Sequence, residues 1–195
     1  MNIEERLDTR RGLDPVSPDE VMRYWLREEV GDERDDASGD DRPDPDELAT
    51  EPALREELFE RKPIAERAFA AEPADWYRVD LSEHELRDLR VVVGPHDEDW
   101  RALTDDDRVE SIAERIRDAE DVEKLDAETP KDLREVVEMA DEIARERPES
   151  RLIVLKEGDD PAYVVDGNHR AVAHALHLLR GGEFEGQPAY LGIRE

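Results

Sequence analysis

One eight-residue stretch near the C-terminus constrains the fold more than any other part of this chain. It reads Val-Val-Asp-Gly-Asn-His-Arg-Ala (residues 164–171) and joins a short β-branched run to the helix-forming residues 171–176. A glycine between a strand and a helix directs free backbone N–H groups and the positive end of the helix dipole at one point. The junction therefore predicts an α/β arrangement, and such a point attracts anions, phosphate above all.

The polar side chains of this octet add chemistry to the backbone geometry. Arg170 can form a charge-assisted contact with phosphate, and His169 adds a donor of the residue type that titrates near neutral pH. Asp166 would repel a phosphate unless it binds a metal or accepts a proton. Because Asp-Gly and Asn are also ordinary turn and cap residues, the octet is either a phosphate site with chemistry attached or a simple tight turn.

The charge of the chain restricts its partners. Among 195 residues, 56 are acidic and 28 basic, which gives a formal net charge of −28, and only four of the basic residues are lysine. This composition resembles that of proteins from halophilic archaea, whose salt-rich cytoplasm screens charges over about 3 Å at 1 M ionic strength. It argues against nucleic-acid binding, because no cluster of lysine and arginine is present to neutralise phosphates.

Several function classes are excluded by residues that the sequence lacks. The chain has no cysteine, which excludes disulfides, thiolate metal sites and cysteine catalysis. No signal peptide, transmembrane run or lipidation motif is visible. We therefore expect a cytoplasmic protein without a membrane partner.

Two regions are predicted from composition. Residues 1–75 are expected to form an acidic, mostly helical N-terminal region. Its residues 31–47 are almost wholly Asp, Gly, Pro, Ser and Arg, and we expect them to be disordered because they bury too little apolar surface. Residues 76–195 are expected to form an α/β (α+β) domain. Its low-charge part, residues 151–195, is predicted to supply the buried sheet and the site, under acidic helical cover.

Periodicity predicts the elements of the second region. Short β-branched runs indicate strands, and the run before the Gly-Asp-Asp-Pro turn is expected to form a hairpin with the run after it. The predicted strands are residues 76–81, 91–93, 152–155, 162–165 and 188–193.

The chain resembles the ParB/sulfiredoxin superfamily in the order of its predicted elements: a hairpin, an Asp-Gly-X-His-Arg turn, a helix and a closing strand. The resemblance spans roughly residues 76–193 and depends chiefly on residues 166–170. It implies a small mixed sheet flanked by helices, with nucleotide phosphates held at the turn.

Three branches of that superfamily differ at the motif. Sulfiredoxins carry a catalytic cysteine where this chain has Asn168, so their chemistry is excluded. ParB partition proteins have a Gly-Glu-Arg-Arg motif followed by a helix-turn-helix domain. Archaeal free-serine kinases have Asp-Gly-His-His-Arg, preceded along the chain by Pro-His-Glu, whose acid is the general base. The Pro-His-Asp-Glu run at residues 95–98 is similar, with Asp97 on the family's glutamate and Glu98 as the alternative.

The kinase-like resemblance implies a role for each matched residue. Gly167 and Asn168 would offer backbone donors to phosphate, and the His169 and Arg170 side chains would contact phosphate oxygens. Asp166 would hold Mg²⁺ or orient an acceptor, and a residue of the 95–98 run (Asp97 or Glu98) would take the acceptor's proton. The implied ligands are ATP, ADP or another nucleotide, Mg²⁺ and a small-molecule acceptor, in phosphoryl transfer or nucleotide hydrolysis.

Other readings of the same residues stay open. The chain could be a non-catalytic nucleotide-binding or protein-interaction module with a regulatory role. A ParB-like nuclease finds little support in so acidic a sequence. His174 and His177 could share a helix face as metal ligands, but helix packing or surface positions are expected for both, and Trp76 and Trp100 are expected to pack in the core.

Overall fold

The computed structural model describes residues 2–36, 44–48, 50–69, 72–92, 99–146 and 149–194. Over these ranges the chain forms nine α-helices, six strands and one short 3₁₀ helix at Asp99–Ala102. The helices are Ile3–Thr9 (α1), Pro18–Asp36 (α2), Glu51–Arg61 (α3), Ala65–Phe69 (α4), Glu83–Asp88 (α5), Val109–Arg117 (α6), Val122–Ala127 (α7), Leu133–Ile143 (α8) and Asn168–Leu179 (α9). The strands are Asp14–Val16 (β1), Asp75–Leu81 (β2), Arg90–Val91 (β3), Leu152–Glu157 (β4), Tyr163–Asp166 (β5) and Gln187–Arg194 (β6).

The six strands form one mixed sheet in the order β1-β2-β6-β4-β5-β3. Antiparallel pairs join β1 to β2, β2 to β6 and β4 to β5, whereas β4–β6 and β3–β5 are parallel. This sheet confirms the predicted α/β (α+β) class and the predicted hairpin of β4 with β5.

Helices cover both faces of the sheet. Successive side chains of a strand point to opposite faces, and in β4 Leu152 and Val154 join one apolar cluster while Ile153 and Leu155 join the other. The first cluster includes buried residues of α6, α8 and α9, and the second includes those of α2, α3 and α4. The low-charge C-terminal strands thus form a buried sheet under helical cover, as the sequence predicts.

The predicted N-terminal region shares this sheet. Its strand β1 pairs with β2, and its Arg6 binds the buried Glu85 of α5 through two hydrogen bonds of 2.6 and 2.7 Å. The predicted division at residue 75 therefore separates two parts of one sheet-centred structure.

The segment predicted to be disordered, residues 31–47, differs from that expectation at both ends. Residues 31–36 continue α2, which is anchored on the sheet side by fully buried residues such as Trp25 and Leu26. Arg23 donates hydrogen bonds to the carbonyls of Pro45 and Leu48 in the segment that follows. A helical end and these hydrogen bonds therefore occupy the two ends of the segment, and residues 37–43 lie outside the described residues. Within the described ranges, no helix is long and apolar enough to cross a membrane.

Candidate functional site

The predicted octet forms the junction between β5 and α9. Gly167 adopts a left-handed conformation with φ of 87°, and a Cβ at this position would lie 2.8 Å from Leu152 Cδ2. Both the backbone angle and the close approach require glycine. Since glycine has no side chain, it provides no capping group for the N–H groups of the first turn of α9.

A register shift in the hairpin precedes this junction. Ile153 pairs with Asp166 and Val154 pairs with Val164, so the ladder skips Val165. An extra residue of this kind bends a strand and changes the direction of the side chain that follows it. The shift therefore sets the direction of Asp166.

A cleft of about 550 Å³ lies beside the junction. Its walls come from α2, the turn between α3 and α4, the 3₁₀ helix, α8 with the segment before it, and the β5–α9 junction. The lining residues are Glu28, Glu29, Lys62, Pro63, Ile64, Trp100, Lys131, Glu135, Met139, Val165, Asp166, Gly167, Asn168, His169 and Arg170. All five predicted site residues of the 166–170 turn are therefore brought to one cleft.

Asn168 connects the motif to the end of β3. Its side-chain Oδ1 accepts a hydrogen bond of 3.0 Å from the backbone N–H of Val92, so this side chain positions the chain that follows β3. Residues 93–98, which include the predicted Asp97 and Glu98, lie outside the described residues. Val92 precedes that segment, and Trp100, close after it, lies against the His169 ring of the motif.

Trp100 and Glu135 hold the ring of His169. The ring centroids of Trp100 and His169 are 5.1 Å apart at 57°, and His169 Nδ1 lies 3.9 Å from Glu135 Oε2. Trp100 is fully buried, which confirms that it packs in the core, and Lys131 Nζ lies 5.2 Å from the centroid of its ring. His169 is thus oriented by its neighbours before any ligand binds.

Arg170 extends toward α2. Its Nη1 donates to the carbonyl oxygen of Arg151 at 3.3 Å, and its Nη2 lies 3.9 Å from Glu28 Oε2. The guanidinium has five N–H donors, and these two contacts use part of that capacity. Arg170 can therefore keep its anchor and still donate to an anion in the cleft.

Lys62 lies between two carboxylates at the end of β5. Its Nζ is 2.8 Å from Glu29 Oε1 and 3.5 Å from Asp166 Oδ1. Burial acts to lower the pKa of Lys62, but Asp166 and Glu29 outweigh it and raise this pKa above its ordinary value. For Glu29, by contrast, burial raises the pKa, and Lys62 offsets only part of that rise.

The metal role predicted for Asp166 has no preformed set of ligands around it. In the described part of the chain, no group of three or more histidine, aspartate or glutamate side chains could hold a metal ion. Asp166 faces the ammonium of Lys62 instead. Mg²⁺ is often held by one or two carboxylates together with substrate phosphates, so the role of Asp166 stays a prediction.

His174 and His177, further along α9, do not line this cleft. His174 is buried, with Nδ1 3.0 Å from Gln187 Oε1, and His177 Nε2 lies 3.3 Å from the carbonyl of Glu183. Both therefore hold the segment after α9 in place, in agreement with helix packing.

Sequence reasoning missed the wall that lies opposite the motif. Glu28, Glu29 and Lys62 belong to the N-terminal region, from which no site residue was predicted, and Lys131 and Glu135 lie before and within α8. One signal could have found two of them: the chain has only four lysines, and Lys62 and Lys131 both line this cleft.

The chemistry of the cleft follows from its charges. Its described lining includes three basic side chains, Lys62, Lys131 and Arg170, close to a histidine and to a first helical turn without a side-chain cap. Such a set can bind an anion and position it beside carboxylates. Comparison of the chain with protein-family models, with curated proteins and with solved structures found no match.

Proposed function

We propose that this cleft binds the phosphates of a nucleotide, in a domain of the ParB/sulfiredoxin type. One observation carries the proposal: His169, Arg170 and the glycine-opened N-terminus of α9 line one cleft in a chain of net charge −28. Lys62 and Lys131, two of the four lysines of the chain, line the same cleft. A cytoplasmic location is part of the proposal, because this charge calls for the screening that a salt-rich cytoplasm provides.

The remainder of the cleft suits the rest of a nucleotide. Small-molecule pockets are commonly about 300–1,000 Å³ and largely apolar, with a few placed polar groups. Pro63, Ile64 and Met139 give this cleft an apolar part. We assign the apolar part to the base and ribose, with the phosphates at residues 166–170.

The proposal extends to Mg²⁺-assisted phosphoryl transfer to a small molecule, or to nucleotide hydrolysis. Mg²⁺ would neutralise developing phosphate charge and would be held by Asp166 with the phosphates. Gly167 and Asn168 would donate backbone N–H groups, and His169 and Arg170 would bind phosphate oxygens. Asp97 or Glu98 would accept the proton of the acceptor.

A non-catalytic nucleotide-binding module is the second candidate. It is favoured by the pairing of the cleft carboxylates: Glu29 and Asp166 face Lys62, Glu28 faces Arg170 and Glu135 faces His169. Within the described residues, each carboxylate of the cleft therefore has a cation or a histidine as its neighbour.

Nucleotide binding is tested by thermal unfolding of the full chain in molar KCl with ATP, ADP or CTP, each with and without Mg²⁺. A bound ligand adds RT ln(1 + [L]/Kd) to the stability. Arg170→Ala should weaken binding about 10- to 150-fold, since it removes a charge-assisted hydrogen bond. The control is Arg180→Ala, after the other end of the same helix, where the side chain pairs with Asp141. Failure of every nucleotide to stabilise the protein would overturn the proposal.

Catalysis is tested separately from binding. Asp97→Asn should lower turnover about 100-fold or more while nucleotide affinity stays within a few-fold, because it removes a proton acceptor and no phosphate contact. Glu98→Gln controls for a one-residue error in the placement of the base. Tight nucleotide binding without turnover on any acceptor would select the binding module.

A further inference from the structure

Lys62 brings a cation from the N-terminal helices to the phosphate side of the cleft. It is the C-cap residue directly after α3, and its backbone N–H donates a hydrogen bond to the carbonyl of Leu58. Its side chain then reaches Asp166 at the end of β5, next to the glycine that opens α9. The ammonium therefore lies at the junction to which the proposed function assigns the phosphates.

The two contacts of Lys62 are unequal. The 2.8 Å separation from Glu29 is a direct hydrogen bond, whereas the 3.5 Å separation from Asp166 exceeds the usual 2.7–3.2 Å for an N–H···O bond. The Lys62 side chain is 34% exposed, and an ammonium has three donors on a flexible stem. It can thus turn from Asp166 to an anion in the cleft without movement of the backbone.

The use of lysine here differs from most ion pairs between elements of this protein. The chain has 24 arginines and four lysines, and in the described residues most ion pairs between elements use arginine. Lys62 is an exception, as is Lys156, which pairs with Glu4. Arginine suits a fixed carboxylate partner, whereas lysine is a mobile point charge that binds phosphate well. The arginine links include Arg6–Glu85, Arg78–Glu20, Arg87–Glu110 and Arg194–Glu157.

We propose that Lys62 is a phosphate-binding residue of this cleft, and that its ammonium exchanges Glu29 and Asp166 for phosphate oxygens when the ligand binds. This inference rests on the proposed nucleotide site and deepens it. It makes the N-terminal helices a required part of that site, and it gives Glu29 the role of a competing anion.

Two substitutions with opposite expected effects test the inference. The affinities of the full chain for inorganic pyrophosphate and for ATP are measured by calorimetry in molar KCl. Lys62→Met should weaken both about tenfold or more, since it deletes a charged phosphate contact. Glu29→Gln should tighten both about two- to fivefold, because it removes an anion that competes for the ammonium. Lys124→Met makes the same change on the exposed side of α7 and should alter neither affinity more than twofold.

The outcomes separate this inference from the proposed function. If Lys62 only bridges the helices to the sheet, Lys62→Met and Glu29→Gln should both lower the melting temperature and leave the affinity for pyrophosphate within twofold. If Arg170→Ala still weakens binding in that case, the role of Lys62 is wrong and the proposed function stands. A wild-type chain that binds neither pyrophosphate nor ATP would overturn both proposals. If Lys62→Met does not fold, Glu29→Gln decides, since unchanged or weaker binding contradicts the exchange.

Discussion

The two walls of the cleft differ in how their residues were assembled. One wall is a continuous turn, residues 166–170, whose backbone follows from its strand–glycine–helix sequence. The other wall combines α2, the α3–α4 turn and α8, so its residues meet only through the packing of helices on the sheet. The continuous wall can be identified from a motif, whereas the assembled wall depends on the whole fold. Three experiments can break or sharpen this contrast.

Salt concentration should have the largest effect, and it should act on the assembled wall first. Residues 151–195 hold five basic and seven acidic residues, so nearly all of the excess negative charge lies before them. Lowering KCl from molar to about 0.1 M lengthens the screening distance from about 3 to about 10 Å, and repulsion should loosen α2–α4 before the sheet.

Hydrogen exchange at stepwise lower KCl measures this order. The amides of α2–α4 should lose protection at higher salt than those of β4–β6. A circular-dichroism melt that is unchanged between molar and 0.1 M KCl would contradict the halophilic interpretation of the charge.

Gly167→Ala should damage the continuous wall, with an intermediate effect on stability. The left-handed conformation costs a residue with a Cβ about 1–2 kcal/mol, and the contact with Leu152 adds overpacking of about 1–3 kcal/mol. Gly181→Ala is the matched control, because Gly181 has nearly the same φ of 86° but no atom within 4 Å of its added Cβ.

Urea unfolding of the two alanine variants compares them. Gly181→Ala should lose about 1–2 kcal/mol and keep nucleotide affinity, whereas Gly167→Ala should lose more and bind weakly. Equal losses in the two variants would mean that Leu152 gives way and that the glycine is required for its backbone angle alone.

The pH dependence of Glu29 should give the smallest effect. Its pKa is raised above the ordinary value, chiefly by burial, so the folded state binds a proton more tightly than the unfolded state. The wild type should therefore lose stability as pH rises from the unfolded pKa of Glu29 through its folded pKa. Glu29→Gln lacks this loss, and its melting temperature should rise relative to wild type between pH 4 and pH 7.

Glu85→Gln should change the pH dependence of stability in the opposite direction. Burial acts to raise the pKa of Glu85, but hydrogen bonds from Arg6 and Ser82 outweigh it and leave this pKa lowered. Its contribution is present above the unfolded pKa and disappears as pH falls through the folded one. The deficit of Glu85→Gln should therefore be largest at pH 7 and shrink in acid; parallel pH profiles for the two variants would contradict both assignments.

The sequence predicted the parts of the fold that depend on short-range patterns. Alternation and β-branching located the β4–β5 hairpin and β6, and Ser82 caps α5 in the reciprocal arrangement that its Ser-x-x-Glu pattern indicates. The end of α2 was missed, because buried contacts of its earlier turns outweigh the polar composition of residues 31–36. Lys62 and Glu29 were missed for a related reason: no local pattern around Lys62 indicates that it will face a strand end more than a hundred residues away, with Glu29 as its second partner.

The register shift before Asp166 has a consequence for how such a site can change. With strict alternation, Asp166 would share the face of Val164, which packs with the α6, α8 and α9 side of the sheet. The skipped Val165 instead lets Asp166 meet Lys62 on the side of the N-terminal helices. Insertion of one residue into β4 between Ile153 and Val154, opposite Val165, would restore strict alternation and turn the carboxylate toward the other layer. The partner of this acid can thus be exchanged between two helical layers by a single insertion, with the strand order unchanged.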